Sequence, residues 1–409
     1  MKKSDLEILL DLVLNLPISY DTGECEDVIY DRIEKYHDCL LKAGIMDSTM
    51  VDCVRKFNLA VKTMYDEYYA GQLKKAYSSF KVALAYGLRD IDLPKAVISD
   101  KTLYRARINT GSTDFRNDEM FHIKFNSRPK VSSQRFSFPG LPCLYLGSSS
   151  YVCWMELDRP SFDQFQVASI RTKPGKNVEV LDLSIHPHSL YTELVNKTNF
   201  DSYELDKKLK EYLTWWPVIA ACSIKVKNPS DTFKPEYIFP QFLLQCILEK
   251  DITEMSDIKG IKYMSIKAAQ VSQKQYDADA TTYTNYVIPV QSIKSDSGLC
   301  KKLQDIFIIF KNYSGKELQI ISDMIREGLI SLENAEHDSL DDTVIWGTGD
   351  IKYPYGKSIF RRIEKILNIS DIEKYINDRQ IELFLSDNET IKETVEKAFA
   401  DTKDSFRIV

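Results

Sequence analysis

The segment LPCLYLGSSSYVCWMEL at residues 141–157 predicts a strand, a tight turn and a helix in direct succession. Residues 141–147 form a short apolar run, residues 148–150 are three serines, and the helix that follows carries one acidic residue, Glu156. Because the neighbouring helical residues are almost free of other charge, the Glu156 carboxylate should be partly removed from water. Carboxylates in such surroundings cluster at functional sites, so Glu156 is the first candidate.

Two arginines precede this segment in aromatic surroundings. Arg105 lies in YRARI at residues 104–108, and Arg135 lies in the polar stretch SSQRF at residues 132–136. A guanidinium group is planar, permanently charged and able to bind two oxygens at once, so it suits a phosphate or diphosphate. An aromatic ring can hold a flat base, and a carboxylate can stabilise a developing cation. A substrate that uses all three features would be a dinucleotide such as NAD.

Composition limits the class of protein. The chain has 409 residues, enough for two or three domains, and its formal net charge of −6 argues against a nucleic-acid-binding surface over the whole molecule. No apolar run approaches the roughly 20 residues that span a bilayer. The eight cysteines are dispersed without a CxxC pair, so we expect reduced thiols and a cytoplasmic protein. The five histidines are also scattered, and we predict no metal site.

The spacing of apolar residues divides the chain into three predicted regions. Residues 1–95 follow the helical period and predict a small bundle with a regulatory or oligomerisation role. Residues 96–293 mix strands with helices, and residues 294–409 are predicted to be mainly helical, beginning with the series Leu303, Ile306, Phe307 and Phe310. Without a regular alternation of strand and helix, the central region is predicted to be α+β.

Within that central region the predicted elements are short. Strands are predicted at residues 103–108, 141–146, 166–171, 178–183, 237–239 and 286–290. Helices are predicted at residues 151–157, 205–212, 216–221 and 240–249.

Five blocks of this region, in order, resemble the RES-domain family, which is named for its Arg, Glu and Ser and includes bacterial toxins that break down NAD. The blocks are Tyr104-Arg105, Arg135-Phe136 followed by a small residue, the Pro-x-Leu-Tyr-Leu strand at 142–146, Glu156, and GIKYMSI at 260–266, which supplies Ser265. The resemblance extends over residues 103–290. Arg107, two residues along the same strand face, is the alternative to Arg105 as the family arginine.

The resemblance implies a central domain with a compact α+β fold like that of the ADP-ribosyltransferases, flanked here by the two helical regions. It implies that the substrate is NAD+ and that the nicotinamide–ribose bond is cleaved without a cofactor. The implied catalytic residues are Glu156, Arg105 and Ser265, with Ser265 contacting the ligand or positioning Glu156. The implied NAD-binding residues are Arg135, Tyr145, Tyr104, Phe136 and Arg107. The insert between Arg105 and Arg135, which includes residues 115–125, is longer than in compact members, and His122 within it is a further candidate contact.

The acceptor of the ADP-ribosyl group stays open at this point. Water would make the protein an NAD glycohydrolase, phosphate a phosphorylase, and a protein side chain an ADP-ribosyltransferase. A module that senses NAD or ADP-ribose without cleaving it is the alternative. Because loss of NAD would harm the producing cell, we expect a toxin or anti-phage effector controlled by an antitoxin or another regulatory protein. A homo-oligomer is also expected, whereas contact with membranes or direct binding of nucleic acid is not.

Overall fold

A computed structural model describes residues 16–44, 46–87, 93–99, 101–184, 202–250, 252–267, 283–318, 344–346, 352–354 and 358–368. Its helices are α1 (Cys25–Ala43), α2 (Ser48–Tyr69), α3 (Leu73–Gly87), α4 (Ser150–Glu156), α5 (Ser202–Cys222), α6 (Ile238–Glu249), α7 (Lys301–Gln304) and α8 (Ile359–Asn368). Its strands are β1 (Lys95–Ile98), β2 (Leu103–Ile108), β3 (Cys143–Gly147), β4 (Phe165–Thr172), β5 (Val178–Leu183), β6 (Gly260–Met264), β7 (Thr284–Pro289), β8 (Phe307–Tyr313), β9 (Val344–Trp346) and β10 (Lys352–Pro354).

Eight of these strands form one sheet in the order β1-β5-β6-β7-β3-β2-β4-β8, and β9 pairs with β10. Neighbouring strands of the large sheet are antiparallel except β5 and β6, which are parallel. The prediction of a mixed fold without regular strand–helix alternation is confirmed.

The pairing between β2 and β3 is limited to one residue pair, Tyr104 with Gly147. By contrast, β2 pairs with β4 along its whole length, and β3 pairs with β7 along its whole length. Where the β2–β3 ladder stops, the Arg105 side chain connects the two strands, because its Nη1 donates to the main-chain oxygen of Tyr145 at 2.8 Å. In the middle of the sheet, a side-chain hydrogen bond therefore takes the place of backbone pairing between β2 and β3.

The helices α1, α2, α3, α5 and α6 share one hydrophobic cluster with a face of the sheet that includes Leu181, Ile261 and Val287. Trp216 of α5 lies at its centre, with its ring 4.2 Å from that of Tyr36 on α1. Burying an aromatic side chain of this size contributes on the order of 3 kcal/mol. The N-terminal helices thus pack directly on the sheet-bearing part of the chain.

Local signals set the ends of these helices. Asp47 accepts the amide hydrogens of Thr49 at 2.9 Å and Met50 at 3.0 Å, which caps the start of α2. Gly44, with φ of 59°, follows the last residue of α1, in the left-handed conformation that glycine adopts at little cost. No helix in the described ranges combines the length and the apolar character that crossing a membrane requires.

One predicted strand is wrong, and two predicted helices form a single helix. Residues 237–239 were predicted as a strand, but Pro235–Tyr237 form a 3₁₀ turn and Ile238 begins α6. Pro235 presets a helical φ at the first position of this turn, and the apolar run that follows is long enough for a helix. Residues 205–212 and 216–221 were predicted as two helices and form one, α5, with Pro217 inside it.

The prediction of a helix at the start of the region after residue 294 is also wrong. The series beginning at Leu303 matches the helical period, but α7 ends at Gln304 and Phe307–Tyr313 form β8, which pairs with β4 at the edge of the sheet. The aromatic and β-branched residues in FIIF favour a strand, and packing on β4 decides the outcome. Helix α8 at Ile359–Asn368 agrees with the prediction of helices in this region, and much of the remaining C-terminal region lies outside the described residues.

The insert at residues 115–125 does not bring His122 to a surface. His122 is fully buried; its Nδ1 lies 2.8 Å from the oxygen of Ile123, and its Nε2 accepts the amide hydrogen of Cys300 at 2.7 Å. These contacts require a neutral ring with the hydrogen on Nδ1. The expectation that His122 contacts a substrate is therefore replaced by a structural role.

Burial lowers the pKa of His122 to about 4, below its usual value of 6.5, and the positive charges of Arg105, Arg128 and Arg107 act in the same direction. The unfolded chain then binds more protons than the native protein between pH 6.5 and 4, so this contribution to stability is complete above pH 6.5 and is lost as the pH falls. We expect the difference in unfolding free energy between wild type and His122→Gln to shrink by up to about 3 kcal/mol over this range. Urea denaturation of both proteins at a series of pH values measures this difference. A difference that stays constant with pH would contradict the assignment of His122 as a neutral buried ring.

Candidate active site

The carboxylate of Glu156, the last residue of α4, is held by two hydrogen bonds to the same oxygen. Its Oε1 accepts from Ser265 Oγ at 2.6 Å and from Asn285 Nδ2 at 2.6 Å. Ser265 directly follows β6 and is fully buried, and Asn285 lies on β7 opposite Gly147. Because Oε2 receives no hydrogen bond from any described residue, it is the oxygen that a ligand would meet.

Two features of the sequence place α4 close to the end of β3. Ser149 caps the helix, since its Oγ accepts the amide hydrogen of Val152 at 3.0 Å. A Cβ at Gly147 would lie 2.6 Å from Val152 and 2.7 Å from Cys153, so only glycine permits this approach. The approach brings Glu156 over the end of the sheet, next to Asn285.

The chain immediately after Glu156 is strained. Asp158 and Arg159 have φ of 61° and 57°, a left-handed conformation that is costly for residues other than glycine and that concentrates at functional sites. Lys267 holds this turn, because its Nζ donates to the main-chain oxygen of Glu156 at 2.8 Å and to Asp158 at 2.7 Å. Hydrogen bonds thus hold both the Glu156 side chain and the main chain that follows it.

Arg135 lies partly exposed at the other side of the site. Its Nη1 donates to the main-chain oxygen of Cys222 at 3.2 Å, and its guanidinium group lies 5.2 Å from the ring centre of Tyr237. No carboxylate in the described part of the chain forms an ion pair with Arg135. Most of its hydrogen-bonding edge is therefore available to an anion.

The loop that carries Arg135 is fastened from α6 by Gln241. Its Nε2 lies 2.9 Å from Ser133 Oγ, 3.0 Å from the oxygen of Gln134 and 3.2 Å from the oxygen of Ser137. Phe136 is fully buried beneath the loop, with its ring 4.7 Å from that of Tyr263. The structure gives Phe136 the role of an anchor for the loop.

Three tyrosines lie among these groups. Tyr145 OH donates to Ser137 Oγ at 3.0 Å. Burial raises the pKa of Tyr237 and of Tyr263; the charge of Glu156 raises both further, whereas that of Arg135 lowers both. Both rings are thus within electrostatic range of Glu156 and of Arg135. A cation and a carboxylate thus act on the same two aromatic rings.

Arg105 is a half-buried cation on β2. Burial lowers its pKa to about 9 and the charge of Arg107 adds to this effect, so the group stays protonated at neutral pH. Its Nη1 donates to Tyr145, its Nε has no hydrogen-bond partner, and no described carboxylate forms an ion pair with the guanidinium group. An uncompensated charge that is partly removed from water is costly, and an anionic ligand would relieve that cost.

Two other predicted NAD-binding residues, Arg107 and Tyr104, have their hydrogen-bond partners away from Glu156. Arg107 Nη2 donates to the oxygen of Phe121 at 3.3 Å, and its guanidinium group lies 5.6 Å from the ring centre of Phe115 in the insert. Tyr104 is buried, and its hydroxyl accepts a hydrogen bond from Asn368 on α8 at 3.0 Å. Of the two arginines on β2, the structure brings Arg105 to Tyr145.

The sequence did not indicate Asn285, Tyr237, Tyr263 or Gln241 as site residues. The sequence of β7 could have indicated Asn285, because a polar side chain inside the buried strand TNYVIP requires a hydrogen-bond partner. In the described residues, the one group of side chains whose ligand atoms could meet at a metal ion is Glu34, His37 and Asp38 on α1. None of these three belongs to the site around Glu156.

Comparison with known proteins shows what the chain is similar to. "Putative toxin YopC" of Bacillus subtilis (strain 168) is 34% identical over 319 residues, covering 75% of this chain and 70% of that protein. No family model matches the chain, and no solved structure matches it. Because the aligned stretch is longer than the whole of residues 96–293, the relationship includes part of at least one flanking region.

Proposed function

Because this chain belongs to the same family as "Putative toxin YopC", we propose that it is a toxin, and that its activity is cleavage of the nicotinamide–ribose bond of NAD+. The five RES-like blocks support the choice of substrate. The observation that carries the proposal is the Glu156 carboxylate, with Oε1 held by Ser265 and Asn285 and Oε2 left for a ligand.

Glu156 would act on the ribose of the nicotinamide half. As the C–N bond breaks, the bonding electron pair goes to the ring nitrogen, which is cationic in NAD+, and nicotinamide leaves as a neutral molecule. The ribose then carries positive charge shared between its anomeric carbon and ring oxygen. A fixed carboxylate next to that charge, accepting a hydrogen bond from a ribose hydroxyl through Oε2, stabilises the transition state. The acceptor, which is water, phosphate or a protein side chain, then forms the new bond to the anomeric carbon and releases its proton to solvent, so no covalent bond to Glu156 is required.

Arg105 and Arg135 would bind the two phosphates. Both are cations without a carboxylate partner in the described residues, and a guanidinium group binds phosphate oxygens in pairs. Tyr145, Tyr237 and Tyr263 offer rings against which nicotinamide and its ribose can pack. In this arrangement Tyr104, Phe136 and Arg107 support the site without contacting the substrate.

The test is incubation of the purified protein with NAD+, with and without phosphate, followed by NMR of the products. Nicotinamide together with ADP-ribose identifies water as the acceptor, and a phosphorylated ADP-ribose identifies phosphate. Label from NAD+ appearing on protein identifies an ADP-ribosyltransferase. Binding of NAD+ without any product would replace the proposal with a sensing module.

A toxin that removes NAD+ must be restrained in the cell that makes it. We therefore also propose a cognate antitoxin or regulatory protein, and an action on the cytoplasmic pool of NAD+. Expression of the chain alone should lower cellular NAD+ and stop growth, and the loss should depend on Glu156.

Replacement of Gln241 by leucine is expected to raise KM for NAD+ about tenfold and to leave kcat little changed, because the loop that carries Arg135 loses its hydrogen bonds from α6. Steady-state nicotinamide release measures both constants. Gln245→Leu is the matched control: it lies one turn further along α6, and its Nε2 donates to Glu249 at 2.6 Å. Equal KM values for the two variants would show that Gln241 does not act through Arg135.

A further inference from the structure

The helix α8 lies against α4, although it follows the RES-like segment by about seventy residues of sequence. Phe360 of α8 packs on α4, with its ring 5.0 Å from that of Tyr151 and 5.2 Å from that of Trp154. These rings form a small hydrophobic cluster with Met155, the residue before Glu156. The helix that carries Glu156 is therefore supported by a distant part of the chain.

A buried carboxylate of α8 binds the first turn of α4. Glu364 is fully buried, and its Oε1 accepts from the amide of Ser150 at 2.6 Å and from Ser150 Oγ at 3.0 Å. The first amides of a helix lack partners within it, and the helix dipole favours a negative charge there. The charge of Glu364 is balanced by Arg361, whose Nη1 lies 3.5 Å from Oε2.

The far end of α8 is attached to the sheet. Ser169 Oγ on β4 donates to the main-chain oxygen of Leu367 at 3.1 Å, and Arg171 Nη2 donates to the side-chain oxygen of Asn368 at 3.2 Å. Asn368 in turn donates to Tyr104 OH on β2. Because one helix contacts β2, β4 and α4, it fixes the position of α4 relative to the sheet.

We propose that Glu364 is a positioning residue for the reaction at Glu156. A helix of seven residues is not stable by itself, so the direction of α4 depends on what holds its two ends. Lys267 holds the end at Glu156, and Glu364 holds the beginning. The inference rests on the proposed function, and it extends the functional unit from residue 290 to residue 368.

The experiment compares Glu364→Ala, Glu364→Gln and Glu317→Ala in the full chain, with kcat and KM for NAD+ expressed per folded molecule. We expect Glu364→Ala to lower kcat about a hundredfold with KM nearly unchanged, as expected for a small displacement of a catalytic group. Glu364→Gln should recover most of the loss, because its amide oxygen can still accept from Ser150. Glu317 is the matched control: its Oε2 makes the same two bonds, but to Ser314, at 2.7 Å and 3.1 Å. A kcat for Glu364→Ala equal to that of wild type would overturn the proposal.

Hydrogen exchange separates this proposal from the proposed function, since it needs no substrate. In Glu364→Ala the amides of the first turn of α4 should exchange at least about tenfold faster than in wild type, and in Glu317→Ala they should not. Unchanged exchange would show that Glu364 does not hold α4, whatever the enzyme does. If exchange is faster in Glu364→Ala but the wild-type protein does not cleave NAD+, the contact between Glu364 and α4 is confirmed and its role in catalysis is refuted.

Discussion

Replacement of Glu156 by glutamine is expected to lower kcat for nicotinamide release about a thousandfold, with a small change in KM. The amide oxygen can still accept the hydrogen bonds of Ser265 and Asn285, so the side chain should stay in place while its charge is lost. A charge that stabilises a cationic transition state acts on kcat, because the positive charge on the ribose develops only as the bond breaks. Release of nicotinamide at saturating NAD+, followed by NMR, measures the effect.

Glu156→Ala should lose at least as much activity, and it also leaves the Asn285 amide without its acceptor. Comparison of the two variants separates charge from packing, since only alanine should lower the melting temperature noticeably. Glu179→Gln is a suitable control, because that carboxylate lies on β5 and faces Lys95 at 3.7 Å. Retention of activity in Glu156→Gln would refute the mechanism. A raised KM with an unchanged kcat would assign Glu156 to binding.

The parts of the fold that were predicted correctly are those with a clear local pattern. The strand at 178–183 alternates buried and half-buried residues over most of its length, and its predicted bounds are those of β5. The series from Leu303 to Phe310 satisfies the helical period by coincidence, and only its pairing with β4 makes it a strand. Local periodicity could not have revealed that partner.

The same limit applies to the site. The RES-like blocks left two roles for Ser265, contacting the ligand or positioning Glu156, and the structure shows a hydrogen bond between Ser265 and Glu156. The resemblance could suggest this pair because it carries information about contacts between distant residues. Asn285 and Glu364 lie outside those blocks, and their partners are 129 and 214 residues away in sequence. Asn285 reaches Glu156 only because β7 pairs with β3 and α4 follows β3 directly. A single sequence does not contain that pairing.

Replacement of Asn285 by alanine is expected to lower kcat between about tenfold and a hundredfold, corresponding to the loss of one hydrogen bond to a charged group. Ser265→Ala should have a similar effect, and neither should change KM strongly. Both side chains bind Oε1, so they are expected to act through the same carboxylate. Asn312→Ala is the matched control, because that strand asparagine donates to the oxygen of Phe115 at 2.8 Å.

The double variant distinguishes a shared role from two separate ones. If both residues act by fixing Glu156, the first substitution already allows the carboxylate to move, and the second should lower kcat by less than it does alone. The product of the single effects therefore overestimates the loss in Asn285→Ala/Ser265→Ala. Effects that multiply would show that the two residues contact different parts of the substrate. In that case the hydrogen bonds to Oε1 would not be what positions Glu156 for the reaction, and its position would depend on α4 alone.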